Sequence, residues 1–151
     1  MPEAAGDVRD NANVTALAFD YGLGHIGCAI GQTLGATARP LAILKARDGQ
    51  PDWDAVARLI AEWQPDTLLV GLPLNMDGSE SDFCLRARKF ARRLHGRFGL
   101  PVAMIDERLS SREAKARGGH RDSYRKNPVD DLAAQVILES WLTDPGQGLA
   151  P

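Results

Sequence analysis

Apolar positions along this chain change their spacing several times, and each change marks an element. Residues 14–20, VTALAFD, are a nearly unbroken apolar run closed by an acid, which predicts a buried strand. IGCAIGQ at 26–32 predicts a second strand, with glycines where the backbone turns or is approached closely. ATARPLAILKA at 36–46 predicts a third, with Pro40 suited to an edge or a bulge. Gly22 and Gly24 keep the first connection short, so strands one and two should form an antiparallel hairpin. The spacing then becomes helical: Trp53, Val56, Leu59, Ile60 and Trp63 predict a helix over about 52–63, capped by Asp52 and stopped at Gln64-Pro65. TLLVGL at 67–72 suits a central parallel strand. After the loop PLNMDGSES, the stripe Phe83, Ala87, Phe90, Leu94 and Phe98 predicts a helix over about 82–98, ended by Gly99. PVAMIDE at 101–107 predicts another strand, SSREAKAR a short helix and GGHRDSYRKN a basic loop. A last helix over about 129–142 would bury Val129, Leu132, Ala133, Val136, Ile137 and Trp141.

The predicted order is β-β-β-α-β-α-β-α-α. Three antiparallel strands followed by parallel α/β units give an α/β fold with a mixed five-stranded sheet and helices on both faces. That order matches the ribonuclease H-like architecture. Residues 14–142 form the expected domain, with residues 1–13 and 143–151 (TDPGQGLAP) expected as loose tails. The 151 residues, 44% hydrophobic and 25% charged, are enough for one disulfide-free core. No apolar run approaches a membrane span, and the first thirteen residues lack a secretory signal's apolar stretch, so a cytoplasmic protein is expected. Cys28 and Cys84 lie in apolar segments and read as core fillers.

Three acids stand where chemistry could use them. Asp20 ends the first strand, where a buried carboxylate needs a compensating partner such as a metal ion. Gly22 would leave room beside it for a phosphate; a turn aspartate opening a hairpin is the plainer reading. Glu107 closes the strand PVAMIDE and precedes Arg108. Alternation puts Asp106 and Glu107 on opposite faces, and sequence alone leaves open which one shares a face with Asp20. Asp130 lies in the first turn of the last helix, behind Asn127 and Pro128, where an acid also serves the helix dipole. Ala133 and Ala134 leave its flank bare, and Asp131 sits beside it.

Net charge is −2, so the whole chain is no basic scaffold, but the distribution is uneven. Residues 84–97 carry Arg86, Arg88, Lys89, Arg92, Arg93 and Arg97 with no acid among them. A solvated face is the ordinary explanation; an unpaired basic face that holds phosphates is the functional one. His25, His95 and His120 are isolated, and no HExxH or CxxC suggests zinc. Gly22-Leu23-Gly24-His25-Ile26-Gly27 satisfies GxGxxG, but a β-like segment rather than a helix follows it, and the expected ribose-binding acid is missing.

The segments AFDYGLGHIGCAIGQ, ATARPL, VGLPLNMDGSE, ARKFARRLHGRFGLPV, DERLSSREA and VDDLAAQVILES together resemble the bacterial YqgF/RuvX family, described as pre-16S rRNA nucleases or Holliday junction resolvases. The resemblance runs from about residue 16 to 140, and VGLPLNMDG with DERLS is its most specific combination. It implies a ribonuclease H-like fold and metal ligands at Asp20, Glu107 and Asp130, with Asp131 the runner-up to Asp130. Those three would also be the catalytic residues, holding Mg²⁺ or Mn²⁺, two ions in the usual arrangement for this chemistry. Arg108 could steady a phosphate oxygen, and Arg86, Lys89, Arg93, Arg97 and Asn75 complete the candidate nucleic-acid contacts. Two departures stand out: Gly24 replaces a residue that is basic in many members, and the segment between Glu107 and Asp130 is shorter than in many relatives.

The resemblance implies RNA as partner, specifically the 5′ end of pre-16S rRNA, with ribosomal precursor particles as candidate partners, and a monomer or weak homodimer. Branched DNA is the alternative substrate, cut as a four-way junction. Two readings of other classes are a phosphate-binding module of the actin/sugar-kinase type and a non-catalytic RNA-binding assembly factor. The first normally needs a second domain for its cleft; the second would tolerate neutralised acids.

Overall fold

The computed structural model describes residues 13–107 and 129–151, excluding the side chains of 129–131. Six strands form one sheet: β1 (Thr15–Asp20), β2 (His25–Gln32), β3 (Thr37–Arg47), β4 (Gln50–Pro51), β5 (Thr67–Leu72) and β6 (Val102–Asp106). Their order across the sheet is β4-β3-β2-β1-β5-β6. β1 pairs antiparallel with β2 and parallel with β5, so the sheet changes character at β1. Three helices are described: α1 (Trp53–Trp63), α2 (Asp82–Phe98) and α3 (Val129–Thr143).

Alternation along the central strands divides the core in two. Leu17 and Phe19 of β1, Leu68, Val70 and Leu72 of β5, and Met104 of β6 face α1 and α2. Ala16 and Ala18, Leu69, and Ile105 face the other way and meet Ala134, Ile137, Leu138 and Trp141 of α3. β1 and β5 are covered on both faces, which is why they read as unbroken apolar runs.

The sheet has six strands rather than the expected five, and the addition is small. Asp48 and Gly49 take φ of 51° and 80°, the left-handed pair that a two-residue hairpin turn requires. Gln50 and Pro51 then fold back to pair with Arg47 and Ala46. The Asp-Gly signal was present in the sequence, but two residues are too few to show a strand period. Pro40 stands at a register irregularity of β3 opposite Cys28 and Ala29, the bulge its missing N–H favours. Asp52 caps α1 by accepting from the Asp54 N–H at 3.0 Å, and Gly99 closes α2 with φ 69°.

Residues 143–151, expected as a loose tail, run back to β6. The Met104 N–H donates to Leu149 O at 2.8 Å, and the Leu149 N–H donates to Met104 O at 2.9 Å. Arg88 Nη1 holds Ala150 O at 2.7 Å. The expected N-terminal tail, short helix and basic loop lie outside the described residues, apart from Asn13 at the tail's end. No described helix is long and apolar enough to cross a membrane.

Candidate active site

Asp20 is the last residue of β1, on the face carried by Ala16 and Ala18, towards α3. The β1–β5 register ends with Phe19 opposite Val70, so one further step brings Asp20 alongside Gly71. Gly71 faces Ile105 of β6 on its other side. Asp20 is half-buried, and its charge reaches Cys28 across the β1–β2 hairpin. Burial, with Asp20 as the second cause, pushes the Cys28 thiol up to about 12. Both cysteines are buried and free, as expected of core fillers.

Glu107 follows β6 immediately. A Cβ built on Gly71 would come within 2.5 Å of Glu107 Oε2 and 2.6 Å of Ile137 Cδ1. The carboxylate therefore lies over the bare backbone of Gly71, on the α3 face of the sheet. Ala103 and Ile105 face that way too, whereas Val102 and Met104 face α1 and α2. This resolves the choice left open between neighbouring acids: Glu107 shares Asp20's side, and alternation sends Asp106 to the other. Burial, then the neighbouring Asp106 carboxylate, raises Glu107 from 4.5 to about 7. An acid so placed carries its charge reluctantly unless a cation joins it.

The backbone of Asp130 lies in the first turn of α3, four residues before Ala134 and seven before Ile137. That spacing aligns position 130 with the helix stripe that covers Gly71. The side chains of Asp130 and Asp131 are outside the described set, as is Arg108. Asp20 and Glu107 are thus the two described acids on the α3 face at this end of the sheet, and no described group of three His, Cys, Asp or Glu forms a metal cage. Hard carboxylate oxygens over a side-chain-free strand end nevertheless suit a hard divalent cation.

The basic helix is less uniform than its sequence suggests. Arg86 pairs with Asp48 at 3.2 Å, and Arg88 grips Glu80 at 2.6 Å. Both acids lie outside residues 84–97, so the lack of acids within that segment did not mean a lack of partners. Arg97 stacks over the Trp53 ring at 4.3 Å. Lys89 and Arg93 have no acidic partner among the described residues. Asn75 Nδ2 donates to Ser79 Oγ at 3.0 Å, closing the loop between β5 and α2 on itself. None of these cations lies on the α3 face: α2 packs against the opposite one.

One residue that sequence reasoning passed over shapes this end of the sheet. Gly71 hid inside an apolar run; a glycine at the end of a central strand was the available signal. Gly22, expected to keep the first connection short, serves the hairpin, since a Cβ there would sit 2.5 Å from His25 O. Residues 22–24 form the turn and residues 25–27 open β2, so no helix starts here, in line with rejecting the dinucleotide motif.

The model of the family described as "RuvX: Holliday junction resolvase" matches residues 14–144. A protein of Pseudomonas fluorescens named "Putative pre-16S rRNA nuclease" is 57% identical over 137 residues, covering 88% of this chain and 94% of that one. One of the same name from Saccharophagus degradans is 54% identical over 130 residues, covering 84% and 92%. Among solved structures, T. thermophilus RuvC in complex with a Holliday junction substrate superposes with a TM-score of 0.52 at 18% identity, over 89% of this chain and 98% of that one. That likeness speaks for the ribonuclease H-like fold alone.

Proposed function

The chain belongs to the RuvX family, and from that premise we propose that it is a divalent-metal-dependent endonuclease acting on nucleic-acid phosphodiesters, processing the 5′ end of pre-16S rRNA. The observation that carries the proposal is the placement of Asp20 and the Glu107 carboxylate on one face of the sheet, around the bare backbone of Gly71. Asp130 is the third ligand in this reading, and Mg²⁺ or Mn²⁺, as a pair, the ions held. Bound there, such ions would supply an activated water and neutralise the leaving oxygen. The chain's own contribution is to hold the carboxylates ready. Glu107 must lose its proton to serve as a ligand, and the bare strand end at Gly71 makes the room its carboxylate occupies. Arg108, next in the chain, is the nearest candidate to steady a non-bridging oxygen.

The RNA assignment rests on the names of relatives more than half identical over most of the chain. A second reading, resolution of four-way DNA junctions, is favoured by the family description itself. Ribosomal precursor particles are the proposed setting for the first reading, and the cytoplasm the proposed location.

One experiment separates these. Purified protein is incubated with labelled single-stranded RNA spanning a pre-16S 5′ end and with a labelled four-way junction, in Mg²⁺, in Mn²⁺ and in EDTA, as wild type and as Asp20→Asn. The proposal expects RNA cleavage in metal only, lost in the variant. Paired nicks in the junction with intact RNA would transfer the assignment to DNA. Cleavage persisting in EDTA or in Asp20→Asn would refute the metal site.

A further inference from the structure

A second site lies on the other face of the sheet. The turn after β1 and the β3–β4 turn are tied together: the Gly49 N–H donates to Leu23 O at 2.9 Å, and the Ala46 N–H donates to Gly24 O at 2.9 Å. Between these turns and α2 is a cleft of about 120 Å³, lined by Tyr21, Gly49, Gln50, Arg86, Lys89, Phe90 and Arg93. Arg86, Lys89 and Arg93 fall at i, i+3 and i+7 of α2, so one helix face presents all of them. Arg86 is already engaged with the carboxylate and the backbone carbonyl of Asp48. Lys89 and Arg93 are not paired with any described acid.

Tyr21 supplies the independent observation. It is 7% exposed, its ring fixed against Phe83 and Phe90 with centroids 5.4 and 5.1 Å apart. Its hydroxyl rests on Gly49, where an added Cβ would come within 2.0 Å of it. That hydroxyl opens onto the cleft and makes no hydrogen bond among the described residues, so its O–H is free to donate to a ligand there. A ring-anchored hydroxyl donor beside two cations with no described acidic partner suits an oxyanion that accepts from several directions. The cleft is large enough for a phosphate group.

We propose that this cleft is a phosphate seat for the nucleic-acid strand, with Tyr21, Lys89 and Arg93 as its donors. The proposal rests on the nuclease reading, because Tyr21 directly follows Asp20. A strand with one phosphate at the carboxylates and another in the cleft crosses the sheet at the carboxyl end of β1. The seat would thus fix the strand's course on the side away from the cleaved bond, and it carries no sequence information, as expected of backbone contacts.

Binding of a short labelled single-stranded RNA is followed by fluorescence anisotropy in Ca²⁺, over a series of salt concentrations. The proteins are wild type, Lys89→Ala/Arg93→Ala, Tyr21→Phe and Arg92→Ala, the last an exposed cation of α2 outside the cleft. Melting temperatures and cleavage in Mg²⁺ are recorded alongside. The double variant is expected to bind at least ~10-fold more weakly, with its log K against log salt slope reduced by about 0.7–1.4, the single-strand value for one or two phosphates. Tyr21→Phe should weaken binding several-fold at an unchanged slope, and Arg92→Ala should match wild type. If the double variant fails to fold, Tyr21→Phe decides. Unchanged affinity and slope in the seat variants, with a wild type that still cleaves, would overturn the seat and spare the nuclease reading. Lost affinity in the variants, with a wild type that cuts neither RNA nor junction, would do the reverse. Inorganic phosphate is titrated in parallel: variants that lose only that ligand would overturn the assignment to a strand.

Discussion

Replacing Glu107 by Gln should stabilise the metal-free protein while weakening its response to metal. The unfolded chain holds Glu107 near its ordinary 4.5, and folding raises it to about 7, chiefly by burial. Between those values the folded state binds more proton than the unfolded one, so stability falls as pH rises through the window. The full loss is present above pH 7 and amounts to about 3 kcal/mol. Glutamine keeps the shape and never ionises. At pH 8 Glu107→Gln should therefore melt about 6–12 °C above wild type, given ~2–4 °C per kcal/mol for a chain of this size. At pH 5, where most of the wild-type carboxyl is protonated, the two curves should nearly meet. Subtracting one pH from the other cancels any pH-independent effect of the amide. Saturating Mn²⁺ at pH 8 should then raise the wild-type melting temperature and raise the variant's much less, because a neutral amide replaces one of the anionic ligands. The assay is thermal unfolding by circular dichroism at both pH values, with and without metal. A variant offset that is the same at pH 5 and pH 8 would refute the claim that a reluctant charge sits over Gly71.

Three further outcomes follow from the same geometry. Gly71→Ala should displace the Glu107 carboxylate and Ile137, costing about 1–3 kcal/mol in thermal unfolding and removing metal-dependent cleavage, since the added Cβ would lie 2.5 Å from Oε2. Retained cleavage would show that the carboxylate can work elsewhere. Asp106→Asn, on the α1/α2 side by alternation, should keep metal-dependent cleavage that Glu107→Gln loses; the opposite pattern in the cleavage assay would reverse the choice between the two acids. Cys28, buried with its thiol pushed up to about 12, should resist iodoacetamide at pH 8 and react fully in denaturant, read by mass spectrometry; labelling of the native protein would refute its burial beside Asp20.

Much of this fold could be read from spacing alone, because its elements are long enough to show their period. α2 spans Asp82–Phe98, the range its apolar stripe marks out, and α1 begins after its predicted cap. The two-residue β4 has no period to show, and only the paired positive φ values of Asp48 and Gly49 produce it. The docked tail was illegible for another reason: its polar and Gly/Pro-rich composition resembles loose chain, yet what holds it is backbone pairing with Met104, which composition does not encode. The basic helix was half legible. Its charges were plain, but the partners of Arg86 and Arg88 come from Asp48 and Glu80, outside the segment and chosen by folding.

The site illustrates the same divide between what a sequence lists and what a sheet does. Taken singly, Asp20 is a turn acid, Glu107 one member of an acidic pair and Asp130 a dipole acid, each with an ordinary reason to be there. The sheet supplies the relation between the first two. Parallel pairing of β1, β5 and β6 brings three strand ends level, and alternation assigns each acid a side. Glycine in the middle strand then lets the last acid lean back over the sheet instead of into solvent. Chemistry follows from this only because the leaning is costly: the same burial that raises Glu107 to about 7 makes a nearby cation the natural relief. On the other face, the Tyr21 hydroxyl opens onto a cleft beside Lys89 and Arg93. In the proposed arrangement a phosphodiester strand with its cations engages both places at once, one on each side of the carboxyl end of β1.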